Sequence, residues 1–155
     1  HDHLTGTREG AGLKVVIVVA EFNTEITQGL LDGSIKGLKL CGLSDVDITI
    51  LTVPGVVECS SVAAKLASKG HFDAIICLGA VIRGDTSHFD FVCQSVTQGI
   101  TSVSVEYKLP VIFGVLTTDT YEQAKIRASD DDNNKGLEAA YTAIEMATLF
   151  KNLDG

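Results

Sequence analysis

The chain has 155 residues, of which 45% are hydrophobic and 21% charged, with a mean hydropathy of +0.26. That is one core of ordinary size, too apolar for a disordered chain and too evenly interrupted by charge for a membrane-embedded one. The net charge of -8, with 12 dispersed Lys and Arg residues, argues against a nucleic-acid partner, because phosphate neutralisation needs clustered cations.

Residues 1–12 carry Gly6, Gly10 and Gly12 among mixed polar residues and read as a flexible N-terminal arm ahead of a single domain, 13–155. His1 and His3 at i, i+2 could hold a metal, but a frayed terminus is the plainer reading, and no metal is expected. Leu13 to Ala20 (LKVVIVVA) is a nearly continuous β-branched run, as in a strand covered on both faces. From Ile26, the positions Leu30, Ile35 and Leu38 keep one helical stripe. Gly29, Gly33 and Gly37 stack along the same helix, each costing about 1 kcal/mol against Ala. They imply close approach of another backbone, either a neighbouring subunit or this chain's own sheet. Val46 to Val53 is the second strand. Pro54-Gly55 ends it and leaves Glu58 in the first turn of a helix over Val56 to Lys69. Asp73 to Gly79 is the third strand, and residues 80–91 (AVIRGDTSHFDF) form a loop. Val92, Val96, Gly99, Ile100, Val103 and Tyr107 mark the strongest helix. Pro110 to Thr117 is the fourth strand, followed by a short helix begun at Thr118 to Thr120 and a last one carrying Leu137, Tyr141, Ile144 and Thr148. Strands alternating with helices predict an α/β fold: a single-domain, doubly wound (flavodoxin-like), four-stranded parallel sheet with helices on both faces. Cys41, Cys59, Cys77 and Cys93 contain no CxxC pair and sit in apolar stretches, so they read as buried reduced thiols. A reducing compartment follows: the cytoplasm, with a processed organellar form as the alternative. No run approaches the ~18 apolar residues of a membrane span, and no membrane partner is expected.

Ligands of parallel sheets gather at the C-terminal strand ends near the switch in strand order. The places to search are Glu21 to Thr24, Pro54 to Glu58, Ala80 to His88 and Thr117 to Thr120. There is no P-loop and no GxGxxG after the first strand, and the third strand ends in Leu78-Gly79 rather than the Asp of a response regulator. Arg83-Gly84-Asp85 is a chance adhesion triplet. Ser87 with Asp90 has the spacing of a capping box, placing His88 in a first helical turn, where the positive helix end favours a neutral, proton-accepting ring. The N–H groups of Gly84 to Thr86 gather at the same helix start, ready for an anion such as phosphate, provided the Asp85 carboxylate turns away. Phe22 and Asn23 offer a ring face and an amide to a planar heterocycle, or are a core Phe beside a turn Asn. Glu58 either complements a helix dipole or accepts hydrogen bonds from sugar hydroxyls. Arg127 and Lys135 are isolated basic residues, solvated by default.

Four segments, VPGVVE, CLGAVIRGDTSHFDFV, PVIFGVLTTDTYEQA and NKGLEAA, stand in the order and at the intervals of one family. Over about Leu13 to Leu149 the chain resembles lumazine synthases, enzymes of riboflavin biosynthesis. The resemblance implies a transferase that condenses 5-amino-6-ribitylaminopyrimidinedione with 3,4-dihydroxy-2-butanone 4-phosphate, giving 6,7-dimethyl-8-ribityllumazine and releasing phosphate and water, without metal or organic cofactor. It implies that Phe22 stacks on the pyrimidine, that Val56, Val57 and Glu58 line the ribityl chain, and that Ala80, Val81 and Ile82 meet the pyrimidine edge. Asp85 and Thr86 would present backbone donors to the phosphate, His88 would shuttle protons, Phe113 would come from an adjacent subunit and Arg127 would pair with the phosphate. Asn23 and Lys135 are counted with the substrate-binding residues. Two features depart from the family: Val56-Val57 reshapes the wall before Glu58, and Ser129-Asp130-Asp131-Asp132-Asn133 replaces a glycine-containing turn found in shell-forming members. Sites between subunits imply a homo-oligomer. A pentamer is expected over a sixty-subunit icosahedral shell or a decamer, because clustered acidic turns repel and two glycines are lost from a tight turn. Beyond small-molecule substrates, riboflavin synthase is a candidate partner. The rival readings are the archaeal-type riboflavin synthase, which shares the fold, and a non-catalytic flavin-binding or shell-forming relative; the intact GDTSHFDF and TTDT motifs weigh against the first, and His88 and Arg127 against the second.

Overall fold

The computed structural model describes residues 1–155. In chain order it contains β1 (Val15–Ala20), α1 (Thr24–Leu40), β2 (Ile48–Val53), α2 (Cys59–Lys69), β3 (Ala74–Ile82), α3 (His88–Tyr107), β4 (Val111–Thr118), α4 (Tyr121–Arg127) and α5 (Lys135–Asp154). The strands form one sheet in the order β2-β1-β3-β4, parallel throughout. This is the doubly wound α/β fold the sequence predicts. Because successive side chains of a strand point to opposite faces, each central strand feeds two cores. Val15, Ile17 and Val19 join Ala74, Ile76, Leu78 and Ala80 beneath α1, α4 and α5. Val16, Val18 and Ala20 join Ile75, Cys77 and Val115 beneath α2 and α3. A Leu or Ile fully buried in this way stabilises the fold by roughly 1.5–3 kcal/mol.

The glycine stripe is used within the chain. A methyl group at Gly29 would overlap the carbonyl of Ala128, one at Gly33 would overlap the Asn134 side chain, and one at Gly37 would lie 2.7 Å from Ala140 Cβ. The helix-propensity cost is therefore offset by close packing of α1 on the 128–140 segment, and the stripe does not face a neighbouring subunit. Asn134 seals this seam. It is buried, donates through Nδ2 to the carbonyls of Gly29 and Ser129 at 3.1 and 2.9 Å, and accepts from the Leu137 N–H at 3.0 Å as the cap of α5.

Several expectations are corrected. β2 is a half-exposed edge strand, and Val46 lies outside it, 89% exposed, in a 3-10 turn over Asp45–Asp47. Val56–Glu58 is a separate 3-10 turn, so Glu58 precedes α2 rather than lying inside it. Cys41, Cys59 and Cys77 are buried free thiols, whereas Cys93 is only half-buried. The neighbouring Cys59 thiol, and burial, hold the Cys77 thiol well above its ordinary pKa. The 129–134 turn contains no residue with positive φ; Asp131 builds it by accepting from the Asn133 N–H at 2.9 Å, so the lost glycines cost this turn nothing. The segment before β1 lies along α5, with the Thr7 N–H donating to Thr148 Oγ1 at 2.8 Å and Arg8 Nε paired with Glu145 at 2.8 Å. No helix is long and apolar enough to cross a membrane.

Candidate active site

The strands end at different heights. β1 pairs with β3 only as far as Val19 and Leu78, while β3 and β4 stay paired to Ile82 and Thr118. Ala80, Val81 and Ile82 are therefore strand residues, not loop, and beyond the end of β1 their free edge faces an opening. This lies between β1 and β3, where the chain's crossovers switch direction and where ligands bind in such sheets.

A cleft of about 400 Å³ occupies the opening, lined by Phe22, Asn23, Gly55, Val56, Val57, Ala80, Val81, Ile82, Gly84, Thr86, His88, Phe89 and Val92. The turn after β1 builds one wall. Asn23 takes the left-handed conformation, φ 65 and ψ 54, which Asn tolerates better than most residues, and its Nδ2 donates to the Ala80 carbonyl at 3.2 Å. Phe22 is thereby turned outward and is 72% exposed; it is not a core residue. The Val56–Glu58 turn builds the facing wall. Val56 is buried against Gly79, where any side chain would overlap its Cγ1, and Val57 stands 48% exposed. Glu58 is exposed and outside the lining, with its carboxylate beside Gly55.

The third wall is the connection from β3 to α3. His88 is the first residue of α3, as the sequence predicts, but the predicted capping box is absent: Ser87 makes no capping hydrogen bond, and the His88 N–H meets Thr86 Oγ1 at 3.3 Å. Asp90 lies 3.5 Å from Arg83 instead of turning back to the helix start, because a cation within reach outcompetes a local amide. A capping box does form at Thr120 and Gln123, at the start of α4, and the Thr-x-x-Gln spacing in TTDTYEQ would have shown it. The N–H groups of Gly84 to Ser87 donate to no group of the chain. Asp85 is exposed and off the cleft, so its charge does not point at a guest there.

Phe113, Arg127 and Lys135 are elsewhere. They line a second, more polar cleft of about 380 Å³ with Val115, Leu116, Thr117, Thr118, Asp119 and Gln123. The two clefts share no residue. Lys135 is paired with Glu138 at 3.7 Å, whereas Arg127 takes part in none of the chain's ion pairs and keeps its fork available to an anion. Sequence reasoning missed Phe89 and Val92 in the first cleft and Asp119 and Gln123 in the second. Each stands inside a motif already singled out, which was the available signal.

One cleft can therefore hold a flat ring against Phe22 beside a proton-transfer group, and the other presents an unpaired guanidinium. The model of 6,7-dimethyl-8-ribityllumazine synthase matches residues 12–151 and so takes in both clefts. The chain belongs to that family, the transferases that form 6,7-dimethyl-8-ribityllumazine in riboflavin biosynthesis.

Proposed function

We propose that the pyrimidinedione and the butanone phosphate meet between two copies of the chain, in the first cleft of one and the second cleft of the next. The observation that carries this reading is the separation of Phe113, Arg127 and Lys135 from the cleft that holds His88. A single chain holds all the residues of the site but not one site. Sequence reasoning gave only Phe113 to the neighbour; Arg127 and Lys135 share its cleft and go with it. Each subunit then offers one cleft to each of two neighbours, a heterologous contact that closes as a ring. Five members are what the family resemblance implies, with the cytoplasm as the compartment that suits four free thiols.

In this arrangement the exposed Phe22 ring stacks on the pyrimidine, the free edge of Ala80 to Ile82 reads its polar rim, and Val56, Val57 and Glu58 border the ribityl chain. The unpaired N–H groups of Gly84 to Ser87 and the neighbour's Arg127 take the phosphate between a helix start and a guanidinium fork. The substrate amine adds to the ketone carbonyl and water leaves to give the imine; loss of the proton on the hydroxyl-bearing carbon then expels phosphate as its C–O bond breaks, the resulting enol tautomerises to a ketone, and the second amine adds to that new carbonyl with loss of water. Each step moves a proton, and His88 at the cleft wall is the group suited to carry it. Holding the two reactants in register contributes up to roughly 7 to 11 kcal/mol without further chemistry.

Subunit mixing tests the shared site. Chains carrying His88→Ala and chains carrying Arg127→Ala, co-assembled in equal amounts, should regain activity in about one quarter of the sites, those joining an intact His88 to an intact neighbouring Arg127. Activity no higher than the mean of the two single variants would place both residues in one chain's site and overturn the reading.

A further inference from the structure

We propose that Arg83 is a positioning residue, holding the start of α3, and with it His88, against the end of β4. The inference rests on the catalytic reading of His88. Arg83 itself lines neither cleft, yet it touches β4, the turn that follows it, and α3. Its main-chain N–H donates to the Thr118 carbonyl at 2.9 Å, its Nε donates to Asp119 Oδ1 at 2.9 Å, and its NH1 lies 3.5 Å from Asp90 Oδ1. The guanidinium carbon lies 4.4 Å from the centroid of the Phe89 ring. Asp90 and Phe89 belong to the first turn of α3, immediately after His88, and Phe89 is a buried part of the first cleft's wall. Asp119 belongs to the second cleft, so one side chain spans the strip of structure between the two.

The start of α3 needs such a hold, because Ser87 provides no cap and Gly84 to Ser87 are not anchored through their own N–H groups. Arg83 also sets a cation between two carboxylates near the loop that takes a phosphate. Both carboxylates hold its proton more firmly, the Asp119 hydrogen bond foremost. The Arg83 side chain is 47% exposed, and ion pairs of that exposure contribute little to stability. The consequence of removing it therefore falls on the geometry of His88 more than on folding. Only a planar fork can lie flat on a ring while reaching two carboxylates, so lysine is an incomplete substitute.

The experiment is a double-mutant cycle between Arg83→Ala and His88→Ala, with Arg83→Lys alongside, read by steady-state kinetics in each substrate. Arg83→Ala should lower kcat by about 5- to 50-fold with both KM values within about 2-fold, as expected when a reacting group is displaced by a fraction of an ångström to one ångström. Arg83→Lys should recover part of the loss. In the His88→Ala background the Arg83→Ala change should cost less than about 2-fold, because a residue acting through His88 has nothing left to position. Independent, multiplicative losses would overturn the proposal. So would a KM effect confined to the butanone phosphate, which would make Arg83 a direct phosphate ligand. A His88→Ala enzyme at full speed would overturn the catalytic reading and this inference with it, an outcome distinct from the other two. Should Arg83→Ala fail to assemble, Arg83→Lys carries the same readouts in the same cycle.

Discussion

Gly79 lies directly against Val56 in the wall of the first cleft, and adding one methyl group there tests the link between packing and binding. A Cβ at this position would overlap Val56 Cγ1 while sitting 3.3 Å from Ala20 Cβ. Ala20 belongs to the fully buried β1 and cannot yield, so Val56 must. The Val56–Glu58 turn has the sheet on one side and the cleft of about 400 Å³ on the other, so it yields into the cleft. Overpacking of this kind costs about 1–3 kcal/mol, which for a domain of this size lowers Tm by roughly 2–12 °C. Gly79→Ala should show that drop in differential scanning calorimetry at fixed protein concentration. KM for the ribityl-bearing pyrimidine should rise severalfold while KM for the butanone phosphate stays put. Val56→Ala removes the obstructing methyl groups, so Gly79→Ala with Val56→Ala should recover much of the lost Tm. Unchanged Tm and KM in the single variant, or a second substitution that deepens the loss, would refute the argument that Gly79 exists to let Val56 approach.

Four further outcomes are expected. His88→Ala should slow turnover by roughly 10- to 1000-fold with little change in KM, since an oriented proton carrier contributes about 10² to 10⁴ and solvent replaces part of it; a normal kcat would remove His88 from the chemistry. Arg127→Ala should raise KM for the butanone phosphate far more than for the pyrimidine, because a guanidinium fork is lost from one substrate only, and equal effects in initial-rate measurements would contradict the assignment. Asn134→Ala removes the α5 cap and strands the Gly29 and Ser129 carbonyls, so urea unfolding should show a loss of about 2–4 kcal/mol; a loss within about 0.5 kcal/mol, as at an ordinary surface position, would mean the seam does not depend on it. Light scattering at moderate salt should give the mass of a pentamer. A mass near sixty subunits would refute this, while a shell forming only at high salt would show that the Asp130 to Asp132 turns repel and can be screened.

What could be read in advance follows from which forces are local. LKVVIVVA reads as a strand buried on both faces because a short, continuous run of β-branched residues suits a strand covered on both sides, and VPGVVE ends a strand because Pro54 cannot continue it. The left-handed Asn23 was invisible, since its conformation is stabilised by a hydrogen bond to Ala80, 57 residues away. The end of β3 was misplaced for the same reason. Gly79-Ala80 carries little strand propensity of its own, and the strand continues through Ile82 because β4 supplies partners as far as Thr118. At the start of α3, Ser87 and Asp90 obey a local rule that Arg83 overrides, and Arg83 can do so only because β4 brings Asp119 beside it.

The separation of the candidate residues into two clefts marks the deeper boundary of sequence reasoning. Chemistry-bearing residue types stand out in a sequence because phosphate, a flat ring and a proton each require particular side chains. Whether Arg127 and His88 share an opening depends on where the chain lies relative to the sheet, and these two residues follow different strands. His88 opens the helix after β3, at the free edge left by the short β1. Arg127 closes the helix after β4, at the outer end of the sheet. A parallel sheet places both strand ends on the same rim of the molecule but separates them along it. On the proposed reading, a second subunit is a simpler way to bring a guanidinium to the imidazole than bending one chain back across its own β4, and a fold that carried its phosphate ligand on one flank and its proton carrier on the other would have catalysis coupled to assembly.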